Sequence, residues 1–123
     1  MKKILIVDDE ESFGDIVKLN LEYTGLYRVC AEKEGLRAVE SALREKPDLI
    51  ILDMLMPDTD GVAILEALRA EPSLKKTSVV FLTAFMSDRD LQALRVKIGV
   101  NVPILSKPIS SEKLLEAIGR YAR

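Results

Sequence analysis

Acidic residues directly follow two short apolar runs of the sequence. Asp53 comes after residues 49–52, and Asp8 and Asp9 come after residues 4–7. Short apolar runs bounded by turn-forming residues are typical of buried strands in a parallel sheet. The carboxyl ends of such strands form the ligand-binding edge of an open α/β sheet. If the two strands are neighbours, at least three negative charges converge at this edge, and a cation is needed to hold them together.

Along the whole chain, short apolar runs alternate with longer stretches whose apolar residues recur every three or four positions. The first pattern predicts strands and the second predicts amphipathic helices. The predicted strands cover residues 4–7, 28–31, 49–52, 79–82 and 102–105. The predicted helices carry the apolar stripes Phe13, Ile16, Val17 and Leu21; Leu36, Val39 and Leu43; Ile64, Leu65 and Leu68; Leu91, Leu94 and Ile98; and Leu114, Leu115, Ile118 and Tyr121. Ser87 is expected to start the fourth helix, and Ser110 or Ser111 the fifth.

This alternation predicts an α/β fold, a three-layer αβα sandwich whose parallel sheet is covered by helices on both faces. Pro103 places the fifth strand at an edge of the sheet, because proline has no N–H to donate to a central ladder. A flavodoxin-like (βα)5 arrangement with strand order 2-1-3-4-5 has that property, and it sets strands one and three side by side. Asp8, Asp9 and Asp53 are then expected to share one pocket.

Composition restricts the functions open to the chain. Its 123 residues, 48% of them hydrophobic, suffice for one domain, residues 1–123, and we expect no output domain. A net charge of −2 without a basic cluster disfavours direct nucleic-acid binding. No stretch is apolar enough for a signal peptide or a membrane span, and the single cysteine, Cys30, favours a reducing compartment. We therefore expect a cytoplasmic protein. The absence of histidine excludes Ser-His-Asp catalysis and imidazole metal sites.

Four segments in the order of the predicted strand ends carry a resemblance to a known family. They are residues 4–10, residues 48–57 with Asp60 and Gly61, residues 82–84 and residues 106–108. Together they resemble the receiver domain of bacterial two-component response regulators, in the single-domain form of the chemotaxis regulators. Each segment alone is a weak signal, whereas the four in order are specific.

The resemblance implies that Asp53 is a phosphoacceptor, whose carboxylate forms an acyl phosphate. It also implies that Asp8 and Asp9 bind a divalent cation together with Asp53. Ligation by oxygen alone favours Mg²⁺, with Mn²⁺ able to substitute. In family terms Asp9 is a direct ligand, Asp8 acts through water, and the backbone carbonyl of Leu55 is a further ligand. Asp8 and Glu11 also have the spacing of a capping box for the first helix, and both roles are compatible.

The resemblance assigns roles to two further strand ends. Lys107 pairs with Asp53 at rest and with a phosphoryl oxygen afterwards, and its peptide bond to Pro108 is expected to be cis. The hydroxyl of Thr83 hydrogen-bonds the new phosphoryl group, which shifts the surface around the fourth helix, fifth strand and fifth helix. The expected donor is a sensor histidine kinase or a phosphotransfer protein. The domain is thus a phosphoacceptor that assists its own modification and no enzyme in the usual sense.

The chain departs from the family at Ile104, where most receivers carry Tyr or Phe three residues before the lysine. Our hypothesis is that phosphorylation is retained while the switch through the fifth strand is altered. Leu55 and Phe85 flank the path by which water reaches the acyl phosphate. Because both are apolar and cannot orient water, we predict a comparatively long-lived phosphorylated state.

Three other functions compete with this interpretation. An interaction-only pseudo-receiver is favoured by Ile104 but disfavoured by the intact set of acids, threonine and lysine. A flavin carrier of the same fold needs a glycine- and hydroxyl-rich phosphate loop, which residues 8–11 would repel. An aspartate-based phosphatase carries a second acid two residues after its nucleophile, where this chain has Leu55. The sequence leaves the downstream target and a homodimer on activation open.

Overall fold

The computed structural model describes residues 1–84, 87–99 and 101–122, without the side chain of Glu11. Within these ranges strands and helices alternate along the chain. The strands are β1 (Lys2–Val7), β2 (Tyr27–Glu32), β3 (Leu49–Asp53), β4 (Ser78–Thr83) and β5 (Ile104–Ser106). The helices are α1 (Glu11–Tyr23), α2 (Ala38–Glu45), α3 (Gly61–Ala70), α4 (Asp88–Ile98) and α5 (Ser111–Tyr121).

The described strands pair in parallel in the order β2-β1-β3-β4-β5, which confirms the predicted fold. All residues of β3 are buried, because this strand lies at the centre of the sheet and is covered on both faces. That position explains its apolar run without polar alternation. β5 lies at the edge, as Pro103 predicted.

Two apolar layers flank the sheet, because successive residues of a strand point to opposite faces. In β1, Leu5 and Val7 join the layer under α2, α3 and α4, whereas Ile4 and Ile6 join the layer under α1 and α5. The three-layer arrangement is thereby confirmed. It fixes the strands from both sides and leaves their carboxyl ends at one edge of the sheet.

Side-chain caps start three of the helices. The hydroxyl of Ser87 accepts from the N–H of Asp90 at the start of α4, and that of Ser110 accepts from Lys113 at the start of α5. Both helix starts were predicted from the sequence. Asp60 caps α3 by accepting from the N–H of Ala63 at 2.8 Å. No described helix is both long and apolar enough to cross a bilayer.

Two of the three residues of the apolar stripe predicted for α2 are wrongly placed, whereas the third, Val39, packs half-buried against the apolar layer. Leu36 is 75% exposed and Leu43 is 38% exposed, while Ala38 and Ala42 are buried. Leu36 lies in a 3₁₀ turn, Gly35–Arg37, that precedes α2, so it does not share the helix face that the sequence pattern assumed, and small residues form the buried face of α2. In α1, similarly, Ile16 of the predicted stripe is largely exposed.

The predicted start of the fifth strand is also wrong. The strand begins at Ile104, two residues later than the apolar run suggested. Pro103 lacks an N–H, and only its carbonyl takes part in the sheet, accepting from the N–H of Phe81 at 2.9 Å. Val102 is buried, but its carbonyl accepts from the Arg95 side chain of α4 and not from the sheet.

Candidate functional site

Three carboxylates meet at the carboxyl ends of β1 and β3. Val7 lies opposite Leu52 in the parallel ladder, so the residues that follow them emerge side by side. One carboxylate oxygen each from Asp8, Asp9 and Asp53 lies within 4.8 Å of the others. Asp8 and Asp53 are buried, at 2% and 7% exposure, while Asp9 is exposed. The structure therefore brings together the acids that the sequence predicted to share a pocket.

Lys107 supplies the positive charge of this cluster. Its N–H donates to the carbonyl of Thr83 at 2.7 Å, so the ladder between β4 and β5 aims the residue at the acids. The Nζ atom lies 2.6 Å from Asp8 Oδ2 and 3.9 Å from Asp53 Oδ2. The peptide bond between Lys107 and Pro108 is cis, as expected. The pairing with Asp53 predicted for the resting state is therefore secondary to the closer pairing with Asp8.

Two residues that the sequence did not assign to the site also contact Lys107. Glu10 Oε2 lies 3.4 Å from Nζ, and the centroid of the Phe13 ring lies 4.6 Å from it. A cation over an aromatic ring is attracted by the ring's quadrupole. Glu10 is the N-cap residue of α1 and Phe13 lies in its first turn, so α1 forms one wall around the lysine.

The predicted capping role of Asp8 is wrong. Glu10 occupies the N-cap of α1, which has no side-chain cap, and the Glu11 side chain lies outside the described residues. Asp8 Oδ1 instead accepts from the N–H of Glu10 at 2.9 Å. This bond closes the turn between β1 and α1 and fixes the orientation of the Asp8 carboxylate.

The surroundings of Asp53 disfavour the ionised form of its carboxyl group. Burial, and after it the negative charge of Asp8, raise the pKa of Asp53 to about 6, because Lys107 only partly opposes these effects. Burial lowers the pKa of Lys107, but contact with Asp8 and the charge of Asp53 outweigh it, so that this pKa lies above its usual value. The single ammonium group of Lys107 therefore does not balance the negative charge of the carboxylates around it.

The residues present fit a hard divalent cation. Asp8 Oδ2 is buried and has no hydrogen-bond partner of ordinary geometry among the described side chains, although Lys107 lies close to it. We interpret that contact as charge pairing that leaves a lone pair free for a further ligand. All donors of the cluster are carboxylate oxygens, which Mg²⁺ prefers over nitrogen and sulfur donors.

The loop after β3 touches the acid that it follows. The N–H of Leu55 points at Asp53 Oδ1 over 3.4 Å, and the Leu55 side chain is 71% exposed. The backbone of Leu55 pairs with that of Asp60, and the N–H of Gly61 donates to the carbonyl of Met54 at 2.9 Å. The loop therefore forms a closed turn beside the carboxylate cluster.

Thr83 and Ile104 lie on neighbouring strands. Thr83, at the end of β4, is buried, and its strand neighbour Leu82 lies opposite Asp53. Ile104 begins β5 opposite Phe81 and packs, half-buried, against the apolar layer that includes Leu94 of α4. Phe85, to which a role in phosphate lifetime was assigned, lies outside the described residues.

Comparison with known proteins agrees with this geometry. The profile of the response regulator receiver domain matches residues 4–119. The alkaline phosphatase synthesis transcriptional regulatory protein PhoP of Bacillus subtilis is 36% identical over 113 residues, which cover 92% of this chain and 45% of PhoP. The chain thus spans less than half the length of that relative.

Solved structures of other proteins share the whole fold, and two examples follow. Chemotaxis protein CheY4 of Vibrio cholerae superposes with a TM-score of 0.86 at 31% identity, covering 98% of each chain. The receiver domain of the sensor histidine kinase PA1611 from Pseudomonas aeruginosa gives a TM-score of 0.81 at 30% identity, covering 98% of this chain and 97% of that one. With its strand order and its acids at one sheet edge, the chain belongs to the response regulator receiver domain family.

Proposed function

We propose that this chain is a phosphorylation-dependent signalling switch of a two-component system, acting in the cytoplasm. Receiver domains are signalling domains, and the finer assignment rests on Asp53. Its carboxylate is buried, carries a raised pKa, and lies among two further acids and one ammonium group. Such an arrangement suits a carboxylate nucleophile, whose reaction depends on neutralisation of charge at the site more than on help from a general base.

In the proposed reaction, an oxygen of Asp53 bonds to the phosphorus of a phosphohistidine while the nitrogen–phosphorus bond breaks. The freed imidazole stays on the sensor kinase or phosphotransfer protein. The chain then carries an acyl phosphate, which bears roughly −1.5 to −2 charge where the ionised carboxylate bore −1, and which presents three phosphoryl oxygens as acceptors. It releases no small-molecule product of its own beyond phosphate on decay, so we do not class it as an enzyme.

The acidic cluster would hold Mg²⁺, or Mn²⁺ in its place. Asp9 and Asp53 are proposed as direct ligands, Asp8 as a ligand through water, and the carbonyl of Leu55 as a further ligand. A bound ion would neutralise charge on the transferring phosphoryl oxygens. The structure of the PA1611 receiver domain, which shares this fold, is described with a magnesium ion coordinated in its active-site cleft.

After transfer, Lys107 and Thr83 are proposed to read the product. The ammonium group, already within 3.9 Å of Asp53, pairs with a phosphoryl oxygen, and the Thr83 hydroxyl donates to another. Movement of Thr83 is proposed to change the surface formed by α4, β5 and α5. That surface is proposed to control a protein partner, an attached output domain or homodimer formation.

The first test is intact-mass measurement after incubation with a small phosphodonor, with and without Mg²⁺. The proposal expects the mass of one phosphoryl group to be added in the presence of Mg²⁺, and little addition when the ion is chelated. Turnover of a generic phosphate ester would instead support a phosphatase. If the protein accepts a phosphoryl group from none of the donors, including a phosphorylated kinase, the interaction-only pseudo-receiver is the better account.

Ile104 is the feature that favours the pseudo-receiver or an altered switch. We expect a phosphoryl mimic to change amide chemical shifts around Asp53 and Thr83 but to change those of β5 only weakly. In Ile104→Tyr, an aromatic side chain that can rotate is present, and the changes should extend through β5 to α4. Large changes at β5 in the parent protein, equal to those in Ile104→Tyr, would contradict the altered switch.

The exposed side chain of Leu55 bears on the lifetime of the acyl phosphate. We expect replacement of Leu55 by Asn, alone and together with a polar residue in place of Phe85, to speed hydrolysis about tenfold, because a polar group orients the attacking water. This is less than the ~10²-fold that a well-placed proton-transfer group supplies. The rate is measured from the loss of phosphorylated mass over time.

The matched control for this experiment is Leu19→Asn. Leu19 is 72% exposed, like Leu55, but lies on α1 away from the loop after β3. Its replacement should leave the hydrolysis rate unchanged. Equal rates in the parent and in the doubly substituted protein would refute the assigned role of these apolar side chains.

A further inference from the structure

The turn before α2 touches the loop that follows the phosphoacceptor. The N–H of Leu36 donates to Asp58 Oδ2 at 3.0 Å, although the two residues are separated by 22 positions in the sequence. Gly35 of the same turn is buried. Its contacts are with the loop after β3, and no pattern in the sequence predicts them.

Gly35 has no room for a side chain. A Cβ atom at this position would lie 2.6 Å from Thr59 Cγ2, 3.0 Å from Asp58 Oδ1 and 3.1 Å from Met56 Cε. All three atoms belong to the loop between Asp53 and α3. The turn and the loop are therefore in direct van der Waals contact, and the absence of a side chain at position 35 sets how closely they approach.

The base of the same loop is fixed independently. A Cβ atom at Gly61 would lie 2.7 Å from the ring of Phe81 and 3.1 Å from the carbonyl oxygen of Asp53. The backbone pairing of Leu55 with Asp60 closes the loop above this point. The tip, by contrast, contains exposed Pro57 and Asp58 and is held from outside by the turn at Gly35.

What the loop carries gives this contact a consequence for the site. The N–H of Leu55 lies 3.4 Å from Asp53 Oδ1, a length at which a small shift decides whether the bond exists. Because the pairing of Leu55 with Asp60 closes the loop, we expect a displacement at the tip to move Leu55. It thereby moves a donor to the carboxylate that is proposed to attack phosphorus, and misplacement of about 1 Å at such a centre can cost ~10²-fold in rate.

We propose that the turn Gly35–Arg37 positions the phosphoacceptor loop, with Gly35 and Asp58 as positioning residues for Asp53 chemistry. The Gly35 contact sets the distance between the turn and the loop. The hydrogen bond from the Leu36 N–H to Asp58 fixes which loop residue lies against the turn. This inference rests on the proposed function for its kinetic consequence. Its structural part, the control of the Leu55 N–H by a turn outside the site, stands without it.

Asp58→Ala and Asp58→Asn separate positioning from stability. Alanine removes the acceptor of the Leu36 N–H, whereas asparagine keeps a side-chain oxygen in its place. Asp58→Ala should speed hydrogen exchange of the Leu55 amide, weaken Mg²⁺ binding and slow phosphorylation by a small donor. The expected loss is roughly two- to tenfold, the factor associated with one hydrogen bond. Asp58→Asn should restore most of each value.

Asp48→Ala is the matched control. Asp48 Oδ2 accepts from the N–H of Lys3 at 2.8 Å, the same kind of bond, at the opposite end of the sheet. Its loss should lower the free energy of unfolding as much as Asp58→Ala does while leaving Leu55 exchange, Mg²⁺ affinity and phosphorylation unchanged. Gly35→Ala should act like Asp58→Ala, and the exposed Asp58 keeps the test available if Gly35→Ala fails to fold.

The outcomes distinguish this inference from the proposed function. If the parent protein accepts no phosphoryl group, the proposed function fails, and Leu55 exchange in Asp58→Ala against Asp58→Asn still decides the positioning role. If the parent is phosphorylated and Asp58→Ala, Asp58→Asn and Asp48→Ala behave alike in all three measurements, the positioning role is refuted. Faster Leu55 exchange in Asp58→Ala, with exchange like that of the parent in Asp58→Asn and Asp48→Ala, supports it.

Discussion

Asp53→Asn is expected to abolish phosphoryl uptake completely, from a small donor and from a phosphorylated kinase alike. The asparagine side chain has nearly the same shape, so it should occupy the same buried position between β1 and β4. It lacks the anionic oxygen that is proposed to form the acyl phosphate, and the neighbouring acids are proposed as ligands and not as nucleophiles. Both proteins are incubated with donor and Mg²⁺, and their intact masses are measured. The parent should gain the mass of one phosphoryl group, and Asp53→Asn should keep its unmodified mass.

Asp60→Asn provides the control for charge and location. Asp60 lies in the same loop, and its Oδ1 accepts from the N–H of Ala63, a role that asparagine can also fill at a helix N-cap. This variant loses one negative charge close to the site and should still be phosphorylated. Residual modification of Asp53→Asn at the parent level would move the phosphoacceptor to another acid and overturn the central assignment.

The sequence predicted the central part of the fold well because the determining interactions there are simple. Residues 49–52 are apolar and flanked by turn formers, and burial on both faces of a sheet leaves few other structures for them. The prediction failed where tertiary packing decided the outcome. Leu36 and Leu43 looked like parts of a buried stripe, but Leu36 lies in the 3₁₀ turn before α2, and the buried residues are Ala38 and Ala42.

The centre of the candidate site was likewise predictable from the sequence, whereas its surroundings were not. Acids at the ends of adjacent parallel strands must meet, so Asp8, Asp9 and Asp53 could be placed together from strand order alone. The surroundings of Lys107 could not be predicted from the sequence. Glu10 and Phe13 reach its ammonium group from the start of α1 through side-chain geometry that no spacing rule encodes.

The contact of Gly35 with the loop after β3 was equally invisible in the sequence. A single glycine carries no signal of what it approaches, and the partner residues lie more than twenty positions away. Loop-to-loop contacts of this kind depend on the assembled sheet, since they join segments that the sheet brings to one edge. They are the part of the site for which coordinates were required.

The second large effect expected of Asp53 concerns stability in the absence of metal. At pH 7.5 in the presence of a chelator, Asp53→Asn should raise the free energy of unfolding by about 1–3 kcal/mol. Burial and the charge of Asp8 raise the pKa of Asp53 from 3.8 to about 6 in the folded protein. A shift of that size corresponds to up to about 3 kcal/mol by which the ionised carboxylate destabilises the folded state.

The pH dependence follows from the direction of this shift. Above pH 6 the carboxyl is ionised in both states, and the folded protein bears the full cost. Between pH 6 and about 4 the folded state holds its proton more tightly than the unfolded state does, so the parent gains stability relative to Asp53→Asn as the pH falls. Below this range both states are protonated, and the difference should vanish. Urea unfolding of both proteins across this range measures it.

Addition of Mg²⁺ at pH 7.5 should reverse the order of stability. An ion that binds only the folded parent stabilises it by mass action, and Asp53→Asn lacks one of its carboxylates. Asp60→Asn, which keeps the cluster of Asp8, Asp9 and Asp53, should respond to Mg²⁺ like the parent. A metal-free Asp53→Asn that is less stable than the parent at pH 7.5 would show that the carboxylate is stabilised by its surroundings. The electrostatic reason for a cation at this sheet edge would then be lost.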